Sequence, residues 1–486
     1  MVSEKTLNSL RELLGKKNFI TSMKERRFYS QDLFYEGILP IAIMSPNSIP
    51  VLEKALIICE RENIEIFPRG GGLSYTRGYI KNIENKRPFI VFDLRKIDKI
   101  IEINEDNLTA TVESGCTWEK LYKETKKINL RPRMFGPSTG RFSTIGGSVT
   151  NNSMFFGSAN AGTSADNVLG LEVITSKGKT IKTGSGSIIN GKPFFRNNGP
   201  DITGLFLNDG GIMGIKTKIT LMLEQIPSSE KFISLSFESS EKLINAIKDI
   251  GRTNLASECI GIIPTNIGNT KDIQKPSLHI VIEGWTNDIA EKKLDAVKEV
   301  LNSFDEANYS DPIIPKLFRE KLFGFLDSPL DTNGNLQIWT HGVFPFDKIK
   351  IAYEKMNTIF QNNEESIKNY VINSHISLAV SRNAVMVEPV LKWNGAPSML
   401  HILGMNKADL WDDKNNNQNK SETKVIVNNI RNQIEECMRD IGAAHMQYGR
   451  FYSFAESMDS NSIEFIRSIK DIIDPNRLFN PGALNI

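Results

Sequence analysis

The stretch FPRGGGLSYTRG, residues 67–78, places three consecutive glycines directly after the short β-branched segment IEIF. Glycine lacks a Cβ and adopts positive φ readily, so successive backbone N–H groups in such a loop can converge on an anion. A pyrophosphate suits this arrangement best. An ordinary glycine turn fits the same residues, so the loop needs support from the rest of the chain.

Length and composition describe an ordinary globular chain. It has 486 residues, 40% apolar and 24% charged, with a net charge of +2. This length predicts about three domain-sized units, and the balanced charge predicts no nucleic-acid partner. The N-terminus is charged throughout and no apolar run approaches the ~18 residues that span a bilayer, so we expect a cytoplasmic protein. The four scattered cysteines predict neither a disulfide framework nor a zinc site.

The first part of the chain mixes helices and strands. The pattern predicts helices over residues 48–58 and 118–128 and strands over residues 89–94 and 108–114. It also predicts a hairpin within residues 171–184, with Lys177-Gly178 at the turn.

The pattern changes after Pro227. Strands such as KFISLSF, SLHIVIEGW and LQIWTHGVF then alternate with amphipathic helices such as SEKLINAIKDI, which predicts an antiparallel sheet backed by helices. A polar, asparagine-rich segment over residues 407–424 is predicted as a surface loop, and a helix follows over residues 425–441.

Two further glycine-rich sites strengthen the interpretation of the first. They are Gly146-Gly147 and the stretch GPDITGLFLNDGGIMGIKT at residues 199–217. One large, extended anionic ligand would explain all three. A dinucleotide site of the Rossmann type is not supported, because no GxGxxG joins a strand to a helix, and no Walker loop occurs.

The order and spacing of these fragments resemble a known family, the flavoproteins of the vanillyl-alcohol oxidase and para-cresol methylhydroxylase (PCMH) type. The resemblance is strongest to the branch of D-2-hydroxy-acid dehydrogenases that act on D-lactate or glycolate. It rests on PRGGGLS, GPSTGRFSTIGGSVTNN, DNVLGLEVITSKGK, GPDITGLF with MGIKTKITLML, and the terminal DPNRLFNPG.

The resemblance implies an α+β fold. It predicts a PCMH-type FAD-binding domain of two subdomains over residues 1–227 and an α/β cap domain with an antiparallel sheet over residues 228–430. A C-terminal segment, residues 431–486, is expected to return to the FAD domain.

The resemblance also implies which residues hold FAD. The first loop is expected to wrap the pyrophosphate with Pro68, Arg69, Gly70, Gly71, Gly72, Leu73, Ser74 and Gly78. The ribityl chain and flavin are expected beside Pro137, Ser138, Thr144, Gly146, Gly147, Asn151, Ile215 and Asn480. Ser138 and Asn151 could equally cap a turn.

The chain departs from the family in ways that bear on the cofactor. The family often attaches its flavin to a histidine in or beside the first loop, and this loop has none, so FAD is predicted to be non-covalent. Cys116 is the alternative thioether site, but its sequence surroundings are typical of a buried thiol. The family's Ser-Glu-Gly-Thr-Leu-Gly is here residues 209–214, DGGIMG, so the glutamate is missing.

The cap departs further, because the family's metal-binding HxGDGNxH and Glu-His-Gly motifs are not intact. We expect His445 to act as the base for the substrate hydroxyl, since imidazole has a pKa near neutrality. The other candidate catalytic residues are His375, Arg382, Glu388, Tyr448 and Arg450. Arg450 or Arg382 would hold a carboxylate through the guanidinium fork. No metal is expected; the alternative is a remodelled site of His375, Glu388 and His445.

The sequence therefore predicts an FAD-dependent oxidoreductase that oxidises a small hydroxy acid or related alcohol. The alternatives are an aromatic alcohol oxidase of the same superfamily, an enzyme like alkylglycerone-phosphate synthase, and a nucleotide-binding scaffold without catalysis. The electron acceptor is open among oxygen, a quinone and an electron-transfer protein. Homodimer formation and peripheral contact with a membrane also stay open.

Overall fold

The computed structural model describes residues 2–82, 87–265, 275–304, 307–324, 335–395, 398, 400–401 and 421–486. These residues form two compact units. The first unit comprises Met1–Ser153, Ser164–Gln225 and Gln447–Ile486, and the second comprises Met154–Thr163 and Ile226–Met446. The three-domain division with boundaries after residues 227 and 430 stays a prediction.

Helices and strands are interleaved along the chain. In chain order the helices of the described residues are α1 Glu4–Leu14, α2 Met23–Tyr29, α3 Ile49–Arg61, α4 Trp118–Lys126, α5 Ile145–Asn151, α6 Ser158–Ala161, α7 Ser240–Thr253, α8 Asn287–Leu301, α9 Ile313–Glu320, α10 Ile349–Asn362, α11 Glu364–Asn369, α12 Ser421–Ile441, α13 Phe454–Ser457 and α14 Ser460–Ile473. Several begin at a side-chain cap, because a hydroxyl satisfies a backbone N–H that has no partner within the helix. Ser239, for example, caps α7 by accepting from the N–H of Lys242.

The first unit contains two sheets. Its strands are β1 Phe19–Ile20, β2 Ala42–Met44, β3 Glu65–Arg69, β4 Phe89–Asp93, β5 Ile100–Asn104, β6 Thr109–Glu113, β7 Leu130–Pro132, β8 Val168–Ile174, β9 Thr180–Lys182 and β10 Ile215–Gln225. The smaller sheet has the order β1-β2-β4-β3, and β3 and β2 both run parallel to β4. The larger sheet is antiparallel, with the order β5-β6-β10-β8-β9 and with β7 paired to β10. The first predicted glycine-rich site directly follows β3, the second lies at the start of α5, and the third runs into β10.

The second unit is built on one eight-stranded antiparallel sheet. Its strands are β11 Ser229–Ser236, β12 Ala256–Pro264, β13 Ser277–Gly284, β14 Asn308–Ser310, β15 Asn335–Trp339, β16 Gly342–Pro345, β17 Asn373–Ser381 and β18 Ala384–Asn394. The order is β14-β11-β13-β12-β17-β18-β15, and β16 also pairs with β18. Helix α7 packs on one face: a Cβ on Gly261 of β12 would lie 3.3 Å from a methyl carbon of Leu243. Side chains alternate along each strand, so the register places His279, His375 and Glu388 on the opposite face, together with apolar residues such as Ile260 and Val390.

The predicted α+β class and the antiparallel sheet of the second half are confirmed. The hairpin with Lys177-Gly178 is present as β8 and β9, with Gly178 at φ +70°. Two boundaries differ. The segment LQIWTHGVF, predicted as one strand, forms β15 and β16 with Thr340 and His341 between them, and α12 begins at Ser421 rather than at residue 425. Residues 407–420 of the predicted surface loop lie outside the described residues.

Candidate cofactor and active site

The first glycine loop leaves β3 at Arg69 and packs directly on the second. A Cβ on Gly70 would overlap the hydroxyl of Thr144, and one on Gly71 would overlap the carbonyl oxygen of Phe142. Gly146 faces the same restriction, since its Cβ would lie 2.6 Å from that of Ser114. Glycine is required here because two segments of backbone meet without room for side chains.

Arg69 lies beneath this loop, with only 2% of its surface exposed. Its guanidinium carbon is 4.7 Å from the ring centroid of Tyr29 and 5.2 Å from that of Tyr79. Within the described part of the chain, its Nε and Nη2 atoms make no hydrogen bond, and a Cβ on Gly72 would overlap Nη2. Buried donors of a cation that lack acceptors are costly. An anion bound by the loop backbone would compensate the charge of this buried guanidinium.

The far end of the loop is closed by its own side chains. Ser74 Oγ accepts from the N–H groups of Thr76 and Gly78, each at 3.3 Å. Tyr79 donates from its hydroxyl to the carbonyl of Gly72 at 2.9 Å. Leu73 is half-buried between these contacts. The Gly78 N–H is thus bonded within the turn, and its role towards the cofactor stays a prediction.

The second loop runs into the short helix α5. Thr144 caps this helix, since its Oγ1 accepts from the N–H of Gly147 at 3.2 Å. Asn151, at the other end, donates from Nδ2 to the carbonyl of Gly147 at 3.0 Å. Pro137 and Ser138 are half-buried in the turn before it. The alternative that Asn151 serves local structure therefore has a contact in its favour.

The third glycine-rich segment meets the C-terminal tail at Asn480. Asn480 donates from Nδ2 to the carbonyls of Gly78, at 2.7 Å, and Gly210, at 2.5 Å. Its Oδ1 accepts from Arg450 Nη2 at 2.7 Å. Arg450 also donates to the carbonyls of Arg77 and Pro481, each at 2.8 Å. These two side chains therefore join the first loop, the third segment and the tail.

Buried charges hold the third segment in place. Asp209 forms an ion pair with Lys216 and accepts from the N–H groups of Gly211 and Met213. Burial lowers the pKa of Lys216, and the Asp209 carboxylate opposes that effect. Ile215, buried at 1% exposure, begins β10 between these groups. The motif at residues 209–214 thus lacks the family's glutamate but contains Asp209, which forms an ion pair with Lys216.

These loops fit an FAD pyrophosphate, because unsatisfied guanidinium donors lie under a glycine loop that cannot carry side chains. Non-covalent attachment of the flavin stays a prediction, and two observations bear on it. All five histidines lie at residue 279 or beyond, and therefore outside both glycine loops. Cys116 is fully buried, and burial raises the pKa of its thiol to about 12, which leaves it a poor nucleophile.

His375 and Glu388 lie on the face of the second unit's sheet opposite α7. Strand register pairs His375 with Val390 and Ser377 with Glu388, so these four side chains share one face. Burial lowers the pKa of His375 to about 3 and raises that of Glu388 to about 8. Both side chains are therefore neutral at pH 7.

Arg382 occupies the turn that joins β17 and β18. Its backbone has φ +53°, and its N–H donates to the carbonyl of Ala159 at 3.0 Å. The residue is exposed. This position leaves the guanidinium at the surface of the second unit, where it can reach a carboxylate without a desolvation penalty.

His445 is buried next to a second histidine. Its Nδ1 lies 2.7 Å from the carbonyl oxygen of His341, and His341 Nε2 lies 2.9 Å from the carbonyl oxygen of Met446. A carbonyl only accepts, so Nδ1 of His445 carries the proton and Nε2 has the lone pair. Burial lowers the pKa of His445 to about 4, and the imidazole is neutral at pH 7.

The predicted catalytic residues divide between the units. His375, Arg382, Glu388 and His445 belong to the second, whereas Tyr448 and Arg450 belong to the first. Tyr448 packs its ring edge against Phe454, with centroids 4.8 Å apart. Among the described residues no group of three or more His, Cys, Asp or Glu side chains could hold a metal ion. The alternative metal site of His375, Glu388 and His445 is therefore not assembled.

Sequence reasoning missed several residues that shape the first loop. Tyr29 and Tyr79 flank the Arg69 guanidinium, and Asp93 accepts from Tyr29 at 2.6 Å. The only available signal was the tyrosine directly after Gly78. Tyr29 lies some forty residues before the loop, and no spacing rule connects the two.

Comparison with known proteins agrees with this geometry. A family model described as an FAD binding domain matches residues 40–184. The glycolate oxidase subunit GlcD of Bacillus subtilis (strain 168) is 30% identical over 254 residues, which cover 51% of each chain. The mitochondrial D-lactate dehydrogenase [cytochrome] 1 of Saccharomyces cerevisiae is 22% identical and covers 99% of this chain and 80% of its own. This chain therefore spans about half the length of the first relative, GlcD.

A solved structure shows the same fold over the whole chain. Substrate-bound p-cresol methylhydroxylase superposes with a TM-score of 0.78 at 17% identity, covering 100% of this chain and 98% of its own. Within the described residues, no helix has the length and hydropathy needed to cross a membrane. Residues 40–184 thus match an FAD-binding domain, and the chain as a whole has the fold of p-cresol methylhydroxylase.

Proposed function

We propose that this protein is an FAD-dependent oxidoreductase that oxidises a small 2-hydroxy acid or a related alcohol. The observation that carries the cofactor assignment is the pair of unsatisfied Arg69 donors beneath a glycine loop packed on a second glycine loop. The substrate class is supported by the likeness to a glycolate oxidase subunit and to a D-lactate dehydrogenase.

In this proposal the first unit binds FAD non-covalently. Arg69 and the loop at residues 70–74 hold the pyrophosphate, and the segment around α5 lies along the rest of the cofactor. Asn480 and Arg450 position these loops through the hydrogen bonds described above. The chemistry that FAD supplies when bound is acceptance of a hydride.

His445 takes the proton of the substrate hydroxyl on Nε2. The hydrogen bond from Nδ1 to the carbonyl of His341 fixes the tautomer that leaves Nε2 basic. The lowered pKa keeps this nitrogen unprotonated through the neutral range. Loss of the hydroxyl proton raises the electron density on the carbon that gives up its hydride.

Arg382 holds the substrate carboxylate. We assign this role to Arg382 because it is exposed on the second unit, whereas the Arg450 guanidinium joins the loops of the first unit through Asn480 and backbone carbonyls. Neutral Glu388 and His375 can donate or accept hydrogen bonds without adding charge near a carboxylate. Tyr448 supplies a ring edge that excludes water.

The decisive experiment is an anaerobic reduction screen with the FAD-loaded protein. We expect D- or L-2-hydroxy acids of two to four carbons to bleach the oxidised flavin spectrum and phenolic alcohols to leave it unchanged. Bleaching by phenolic alcohols alone would replace the substrate class with the aromatic one. Full FAD loading with no reduction by either class would contradict an oxidase or dehydrogenase role while leaving the cofactor assignment intact.

A further inference from the structure

His341 lies in the sheet of the second unit, between β15 and β16, where the strand register is unbroken. Gly342 pairs with Val387 of β18, and the pairs of β15 continue the same register along β18. The N–H of Thr340 donates to a carbonyl of β18 at 3.0 Å, so the pairing spans the gap between the two strands. His341 therefore lies opposite Glu388, and residues so placed have Cβ atoms about 4.5–5.5 Å apart on one face of the sheet.

On its other side β16 pairs with the segment that carries His445. Val343 and Ala444 exchange both backbone hydrogen bonds, at 2.7 Å from the N–H of Val343 and at 3.0 Å from the N–H of Ala444. An antiparallel ladder would bring residues 341 and 446 together for the next such exchange. Imidazoles reach the carbonyl oxygens of that next pair: His445 Nδ1 donates to His341 at 2.7 Å, and His341 Nε2 donates to Met446 at 2.9 Å. The two side chains thus continue the short ladder.

The imidazole of His341 is buried and neutral. The residue is 1% exposed, and burial lowers its pKa to about 3, with the charge of the fully buried Arg431 acting in the same direction. A carbonyl only accepts, so the proton of the ring is on Nε2. At neutral pH His341 is therefore an uncharged hydrogen-bond donor to the backbone beside His445.

We propose that His341 is a positioning residue, whose imidazole holds residues 444–446 against β16 and thereby fixes the direction of His445 Nε2. This inference rests on the proposed function, in which His445 takes the proton of the substrate hydroxyl. The Val343–Ala444 pair holds the backbone before His445, and the His341 ring holds the backbone after it. The hydrogen bond of Nδ1 then selects one ring orientation, which proton transfer requires. Since His341 also lies opposite Glu388, it links two of the predicted catalytic residues.

The rate of anaerobic flavin reduction in the FAD-loaded full chain tests this role. His341→Leu removes the donor to Met446, and we expect the rate at saturating hydroxy acid to fall by ~10-fold or more, with the half-saturating concentration and FAD content unchanged. His341→Gln keeps a donor at the length of Nε2 and should restore most of the rate. His279→Leu is the matched control, because His279 is also buried and bonded to Ser234 and Ser277; it should lower Tm but not the rate.

A third substitution covers the case in which His341→Leu does not fold. His341→Asn stays polar, but its amide is too short to reach the carbonyl of Met446, so it should be as slow as His341→Leu. In a His445→Gln background neither His341→Leu nor His341→Asn should slow reduction further, because the effect acts through His445.

A crystal structure of the FAD-loaded slow variant gives a readout that needs no substrate. It should show the His445 imidazole turned away from the carbonyl of residue 341. The proposal is overturned if His445 keeps its orientation there, if His341→Gln is as slow as His341→Asn, or if the slow variant loses as much rate in the His445→Gln background as in the wild type. A wild type that no hydroxy acid reduces would instead contradict the proposed function, and the crystal structure would still decide the positioning role.

Discussion

At the scale of single residues, the proposed role of His445 depends on its tautomer and its low pKa. His445→Gln keeps a donor for the carbonyl of His341 but removes the base, so we expect kcat/KM to fall by ~10²-fold or more with FAD content unchanged. His279→Gln is the matched control, because His279 is also buried, with a pKa lowered to about 4, and has no proposed catalytic role. Steady-state kinetics distinguish the two variants.

The same residue has a consequence for pH dependence. Burial lowers the pKa of His445 to about 4, so the base form persists through the neutral range, and its loss limits the rate only as the pH falls towards 4. An activity loss centred at ~6.5, the ordinary value for histidine, that disappears in His445→Gln would contradict the assigned environment.

The two arginines should separate cofactor binding from substrate binding. Arg450→Lys loses the fork that reaches Asn480 and two carbonyls, so we expect FAD affinity to fall by ~10-fold or more with little change in KM. Arg382→Gln should raise KM for a carboxylate substrate by ~10-fold or more and leave FAD affinity unchanged. Titration with FAD and steady-state kinetics measure both. If Arg450→Lys instead raised KM and Arg382→Gln instead lowered FAD affinity, Arg450 would be the substrate-binding arginine and Arg382 the cofactor-loop arginine.

Gly71 tests whether the contact between the loops requires glycine. Its Cβ would overlap the carbonyl oxygen of Phe142, and backbone cannot move aside cheaply. We expect Gly71→Ala to abolish FAD binding and to lower Tm. Gly147→Ala is the control within the second loop, because its Cβ meets only the Thr144 hydroxyl, at 3.1 Å. Equal loss of Tm in both variants would show that the loop contact is not the cause.

At the scale of elements, the C-terminal helix α14 holds the tail against the third glycine-rich segment through one buried lysine. Lys470 donates to the carbonyl of Ile212 and to the Asp474 carboxylate, each at 2.5 Å. Both side chains are at most 1% exposed, and Asp474 also accepts from the N–H of Phe479 at 2.8 Å. Removing one member of a buried pair leaves the other charge without compensation.

Lys470→Met should therefore lower the free energy of unfolding by ~3–5 kcal/mol. Adding Asp474→Asn, which keeps an acceptor for Phe479 but no charge, should recover much of that loss. Lys368→Met is the surface control: Lys368 pairs with Glu364 at 2.6 Å with both side chains exposed, and its loss should cost under ~1 kcal/mol. Urea unfolding measures all three. An equal loss in the single and double variants would contradict the electrostatic cause.

The sequence predicts some of the helices and strands of this fold and not others. Helices α3, α4, α7 and α8 and strands β3, β4, β6, β11 and β13 were predictable, because each has a clear period and a capping or turn signal. The break in LQIWTHGVF was not, since Thr340 and His341 carry no turn signal and the strands on either side both find partners along β18. The glycine motifs located the cofactor loops, whereas the aromatic surroundings of Arg69 depend on tertiary contacts that no local pattern encodes.

At the scale of the whole molecule, the titratable histidines are confined to the second unit. Burial lowers the pKa of His279 and His445 to about 4 and that of His341 and His375 to about 3. Below pH ~6.5 the unfolded chain therefore binds protons that the folded unit excludes, and stability falls as the pH falls. Glu388 acts in the opposite direction. Its folded pKa of about 8 means that stability falls as the pH rises from ~4.5 to 8.

These opposing titrations predict a maximum in the stability of the second unit near pH ~7, because the protons bound by four unfolded histidines outweigh the one held by folded Glu388 until each histidine is about a quarter protonated, and Glu388 dominates above that pH. Calorimetry of the full chain from about pH 4 to pH 8 measures it, below the range in which thiols ionise. Glu388→Gln should remove the decline between pH ~7 and 8 and make the acid decline steeper, because Glu388 opposes the histidines from pH ~4.5 upward, whereas His341→Gln should make the acid decline shallower. A wild-type Tm that rises steadily to pH 8 would show that the Glu388 carboxyl is ionised in the folded protein.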